Sequence, residues 1–127
     1  MSISFARECA FKLVFGYLFT KEKDEAALEE YLSENKTESG YLSDVYNGVI
    51  LHYDELIEDI KKVSEGFKLE RIFKVDLAIL LVAIYEMKYD LVPKKVSINE
   101  ALNISKAYST EKSASYINGI LSNFVGA

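Results

Sequence analysis

From Val75 to Tyr89 the chain is apolar on nearly every side of a helix, because Leu77, Ile79, Leu80, Leu81, Val82, Ala83 and Ile84 leave it no polar face. A helix of that kind has to be surrounded by other helices. Its longest uninterrupted apolar run, Leu77 to Tyr85, is nine residues, far short of the ~18 that a membrane span needs. The surroundings must therefore come from the chain itself. One proline and six glycines leave few breakers, which favours long helices over the turn-dense pattern of a small β-barrel or sandwich. With 127 residues, a single compact domain over 1–127 is expected, and its class is all-α.

The flanking segments supply the enclosing helices. Ser4 stands where a first helix can be capped, and Ala6, Cys9, Ala10, Leu13, Val14, Tyr17 and Leu18 then form one apolar stripe. Asp24 opens a short helix that turns Ala27, Leu28, Tyr31 and Leu32 inward and its glutamates outward, ending near Asn35. From Ser39 a third helix carries Leu42, Val45, Tyr46, Val49 and Tyr53; a restart at Asp54 continues through Leu56, Ile57, Ile60 and Val63 to a stop at Gly66. Leu69 to Phe73 reads as one tight turn before the apolar helix, and Pro93 breaks the chain after it. Ser97-Ile98-Asn99-Glu100 has the form of a capping box, which predicts a helix start there, with Ala101, Leu102, Ile104, Ser105 and Tyr108 following. After Ser109-Thr110 a last helix holds Ala114, Ile117, Ile120, Leu121 and Phe124, and Gly119 reads as a point of close helix–helix approach. About seven helices with short connections result.

Charge is unevenly distributed. Residues 22–38 hold seven acids and two bases (-5) and residues 39–86 nine acids and five bases (-4), whereas residues 1–21 and 87–127 are each +2. A polyanion can dock only where the two ends of the chain lie together. Cys9 is the only cysteine, which excludes a disulfide framework and a cysteine-rich zinc site and suits a reducing, cytoplasmic setting. The start has no clearly basic leading segment and no small-residue cleavage site, so no targeting is expected.

Catalysis finds no support. His52, the only histidine, falls on an amphipathic helix with no nucleophile placed beside it, and Cys9 sits on an apolar stripe where a thiol packs as a small hydrophobe. No phosphate-cradling glycine loop or metal-ligand spacing occurs, so no enzyme activity, cofactor or metal is expected. Phe15, Tyr108 and Tyr116 lie near helix ends or off the main stripes, where an aromatic can stack on a base or anchor a partner as well as pack. Lys94-Lys95 reads as a solvated loop or a phosphate contact, and Asp76 as a residue favoured by the helix N-terminus.

Five segments in order carry a resemblance: Ala6-Arg7-Glu8-Cys9-Ala10, Tyr46-Asn47-Gly48-Val49, Ala83-Ile84-Tyr85-Glu86, Val96-Ser97-Ile98-Asn99-Glu100-Ala101 and Tyr116-Ile117-Asn118-Gly119-Ile120-Leu121. Together they resemble the NusB family of bacterial transcription antitermination factors over almost the whole chain. The resemblance implies two small packed three-helix bundles and a non-enzymatic role: binding the single-stranded boxA element of ribosomal RNA leaders with ribosomal protein NusE, within the RNA polymerase antitermination complex. It implies RNA contacts at Arg7, Phe15, Lys95 and Tyr116, and a NusE-facing set of Asp76, Tyr108, Glu111 and Lys112. Some family members self-associate, so a homodimer is a further partner to test. The chain departs from the family in having Ser2-Ile3-Ser4-Phe5 where several arginines are usual and Leu81 where an arginine is common. A protein-interaction module without RNA binding is the alternative that those departures permit.

Overall fold

The apolar helix is the centre of the molecule. In the computed structural model, which describes residues 3–64 and 69–124, it runs from Lys74 to Lys88 (α5), and Leu80, Leu81 and Ile84 are completely buried within it. Around it stand α1 (Ile3–Thr20), α2 (Glu25–Glu34), α3 (Ser39–Leu51), α4 (Tyr53–Val63), α6 (Lys94–Tyr108) and α7 (Glu111–Asn123), with a single 3-10 turn at Leu69–Arg71. No strand occurs among the described residues. α1, α2 and α3 pack on one another, as do α5, α6 and α7, and α4 lies against α3, α5 and α7. Because α5 also packs on α1 and α3, it joins the two trios and is covered on all sides. No helix among the described residues is long and apolar enough to cross a membrane.

Helix starts follow local chemistry in two places and tertiary demand in others. Asp24 Oδ1 accepts the Ala27 amide at 3.0 Å and caps α2, and Thr110 Oγ1 accepts the Ser113 amide at 3.1 Å and caps α7. Ser4, expected as a cap, is instead inside α1, where its hydroxyl donates to Glu100. The Ser97-x-x-Glu100 box is likewise inside a helix that begins at Lys94 with Pro93 in the cap position. Both of its side chains are engaged with other helices: the Ser97 hydroxyl donates to Glu86 Oε1 at 3.0 Å, with the Ala83 carbonyl at 3.2 Å, and Glu100 faces α1. Lys94-Lys95 therefore forms a first helical turn and not a loop, and Lys94 Nζ donates to the Phe124 carbonyl at 2.6 Å.

The restart after α3 comes at Tyr53, one residue before Asp54, so His52 occupies the junction of α3 and α4. α4 ends at Val63, and the stop assigned to Gly66 lies outside the described residues. Gly119 is exposed, and a Cβ built there would meet nothing within 4 Å, so it is not the point of close approach. That point is Gly48, whose missing side chain makes room for the ring of Tyr85.

Candidate functional site

Asp76 stands in the first turn of α5, as the helix-terminus argument requires, yet it is only 3% exposed. Ser109 donates to its Oδ1 at 2.8 Å and Ser113 to its Oδ2 at 2.8 Å, while the Thr110 hydroxyl donates to Ser113 Oγ at 3.0 Å. A buried carboxylate is tolerated when it is hydrogen-bonded in this way. The arrangement ties the start of α5 to the turn between α6 and α7. Beside it opens a largely apolar groove of about 760 Å³, lined by Arg71, Ile72, Phe73, Asp76, Thr110, Glu111, Lys112, Ser113 and Tyr116. Asp76, Glu111, Lys112 and Tyr116 are thus brought together; Phe15, Tyr108 and Lys95 are not part of that lining.

Tyr108 stands at the edge of a neighbouring row of rings. Its ring lies 5.3 Å from Phe11, with Lys12 Nζ 5.6 Å from its centroid. Phe15 follows at 6.3 Å from Phe11 and 5.1 Å from Phe19, over which Lys74 Nζ lies at 5.6 Å. Phe19, Phe73 and Tyr108 are all exposed. Phe11 is buried and Phe15 half-buried, so the row is open at its two ends, where exposed rings beside ammonium groups can bind either a protein or stacked bases.

Arg7 is corrected most. Expected on an RNA-binding face, it is 2% exposed, with Nε 2.8 Å and Nη2 2.6 Å from Glu86 Oε2 and Nη1 3.0 Å from Glu100 Oε1. Glu86 is completely buried and also receives the Tyr41 hydroxyl at 2.7 Å. Burial works against the guanidinium charge, but the Glu86 hydrogen bond and the surrounding negative groups hold its pKa above the ordinary value. Burial, reinforced by Glu86, pushes the Tyr41 phenol well up, so it stays a donor. The only cation of the N-terminal motif is thus committed to the interior, where a phosphate cannot reach it.

Glu100 is held below its ordinary value of 4.5, first by the Ser4 hydroxyl and then by Asn103 and Arg7. The lowered pKa means that its stabilising contribution is complete above about pH 4.5 and disappears as pH falls through the folded-state value. Urea melts of wild type and Glu100→Gln should accordingly differ most near neutrality and converge on acidification. A gap that stays constant down to pH 3 would contradict this assignment.

The two +2 segments do lie together. Ser4 and Arg7 of α1 both bond Glu100 of α6, and Phe11 meets Tyr108. On the acidic α2, Glu25, Glu29, Glu30 and Glu34 are exposed. Lys95 is exposed on the first turn of α6. His52 rests 4.9 Å from the Tyr89 ring with Nδ1 3.7 Å from Glu55, and Cys9 is buried with Asn35 Nδ2 3.5 Å from its sulfur. Among the described residues no group of three or more His, Cys, Asp or Glu side chains is placed to hold a metal ion.

Several contributors were not readable beforehand. Ser109 and Ser113 meet Asp76 across 33 and 37 residues, and Tyr41 meets Glu86 across 45, separations that no local pattern signals. Phe19 and Phe73 carried a weak signal: each adjoins a helix end, as Tyr108 does, and Phe19 follows Phe15 by one turn.

The model of the NusB family matches residues 4–126. The transcription antitermination protein NusB of Acetivibrio thermocellus is 47% identical over 94% of this chain and 86% of its own length. That of Agathobacter rectalis is 38% identical over 98% and 99%. Among solved structures, T. maritima NusB is similar with a TM-score of 0.88 at 30% identity, covering 98% of this chain and 90% of that one. A family model spanning nearly every residue and a solved structure of the same helical arrangement lead to one conclusion: this chain belongs to the NusB family.

Proposed function

We propose that this protein is a transcription antitermination factor that recognises single-stranded boxA-type RNA together with ribosomal protein NusE and supports ribosomal RNA transcription. Residues 1–127 act as one NusB-like helical domain in the cytoplasm, and the mechanism is assembly with the RNA polymerase antitermination complex, with no bond made or broken. The similar proteins bear the name transcription antitermination protein. The observation that carries the reading to particular residues is the convergence of Asp76, Glu111 and Lys112 on one apolar groove, with Tyr116 on its wall where the NusE and RNA surfaces adjoin. NusE occupies that groove, with Tyr108 at its margin. RNA follows the seam of α1 and α6 where the cationic segments meet, Phe15 and Tyr116 supply stacking surface, and Lys95 a phosphate contact. NusE completes the RNA site.

A second reading, a module that binds NusE but no RNA, has the burial of Arg7 against Glu86 in its favour. Fluorescence anisotropy of a labelled boxA RNA, with and without NusE, at two salt concentrations and against a scrambled RNA, separates the two. Selective, salt-sensitive binding that NusE strengthens is expected. NusE binding with no RNA binding selects the second reading. Binding of neither, with elution at twice the monomer mass, points to a homodimer that buries the face.

A further inference from the structure

We propose that the cleft between the start of α1 and the middle of α6 reads the edge of one RNA base, a cytosine or adenine; this rests on the RNA reading above. The cleft, about 260 Å³, is lined by Ser4, Arg7, Glu8, Glu100, Asn103 and Ile104. Its wall is preorganised from below. Arg7 is clamped to buried Glu86 and holds Glu100 Oε1 at 3.0 Å, where the Ser4 hydroxyl also donates, and Asn103 Nδ2 donates to Glu100 Oε2 at 3.1 Å. A carboxylate has about four acceptor positions, so Glu100 retains capacity after these three bonds.

The charge of the cleft decides what enters it. Glu8 and Glu100 face a single cation that is already buried in an ion pair, which repels a phosphate and favours a neutral group that donates hydrogen bonds. A carboxylate takes the exocyclic amino group of a base, and an adjacent amide bonds the neighbouring ring nitrogen. Cytosine and adenine offer that donor–acceptor pair, whereas uracil turns carbonyl oxygens toward the carboxylate. Cations stand outside the cleft on the same helix. Lys95, Asn99, Asn103 and Lys106 are all exposed and share one face of α6 at three- and four-residue spacing, a span of roughly 16 Å. The two lysines thus flank Asn103 as phosphate contacts that position a strand while the cleft specifies a base.

The test uses 5′-labelled 12-nucleotide oligo(C) and oligo(U), titrated with the protein in the presence of NusE at several salt concentrations. Wild type should prefer oligo(C) by about tenfold. Asn103→Ala, an exposed mid-helix change that alanine tolerates, should reduce that preference several-fold and leave the salt slope intact, with an unchanged melt as control. Lys95→Gln and Lys106→Gln should weaken both oligonucleotides equally and each reduce the slope by about 0.7. Binding of both oligonucleotides with the wild-type preference retained in Asn103→Ala overturns the cleft assignment alone. Failure of wild type to bind these or boxA RNA overturns the RNA reading and the cleft with it.

Discussion

Arg7→Ala is expected to destabilise the protein by about 3–5 kcal/mol, lowering Tm by roughly 10–20 °C for a domain of this size. The loss comes from Glu86 more than from the missing contacts. Removing the guanidinium leaves a completely buried carboxylate with only the Tyr41 and Ser97 hydroxyls, and an uncompensated charge in the interior is far costlier than a pair. Replacing both partners, as in Arg7→Met with Glu86→Leu, should restore most of the stability, because a hydrophobic pair of similar volume substitutes well for a buried ion pair. Thermal unfolding of the wild type, the single variants and the double variant gives the coupling directly. Were Arg7 an exposed phosphate ligand, Arg7→Ala would weaken RNA binding at an unchanged Tm.

Gly48→Ala should destabilise although alanine is the better helix former. The Cβ would fall on the Tyr85 ring, and Tyr85 cannot step aside: its hydroxyl donates to Asp44 at 2.8 Å and its ring lies 4.9 Å from Tyr89. Overpacking typically costs about 1–3 kcal/mol, against up to ~1 kcal/mol gained in helix propensity; a net loss of about 1–2 kcal/mol is expected. In a Tyr85→Leu background the clash is gone, so the same Gly48→Ala change should become neutral or stabilising. Chemical denaturation of the four proteins of this cycle reads the change of sign; a loss of equal size in both backgrounds would place the cost elsewhere.

These two sites illustrate what a linear reading reaches. The stripes of α1, α3, α4 and α7 repeat every three or four residues, so one buried face per helix was visible in the sequence, and the all-round apolarity of α5 announced that it lies inside. The helix start at Asp24 was legible because the capping donor and acceptor lie three residues apart, and the Thr110 cap has the same local spacing. The same local logic misplaced Ser97-x-x-Glu100. Two residues with capping chemistry were taken by contacts across 11 and 93 residues, Ser97 with Glu86 and Glu100 with Arg7, and the cap fell four residues earlier, at Pro93.

The candidate site was legible in the same proportion. Glu111, Lys112 and Tyr116 are neighbours on α7, but their meeting with Asp76 depends on how α5 and α7 pack; the resemblance to a family grouped Asp76 with Glu111 and Lys112 and set Tyr116 apart among the RNA contacts. Close approach was expected at Gly119 and occurs at Gly48, because no property of a glycine by itself tells which one has a neighbour's ring against it. Helix number, helix faces and the division of charge along the chain were therefore set by sequence alone, since each is a property of residues within a few turns of one another. Whether a charged side chain is a ligand or an anchor was decided by tertiary structure: Arg7 is a cation in any conformation, but its task depends on Glu86, 79 residues away, having been buried where only a cation can hold it.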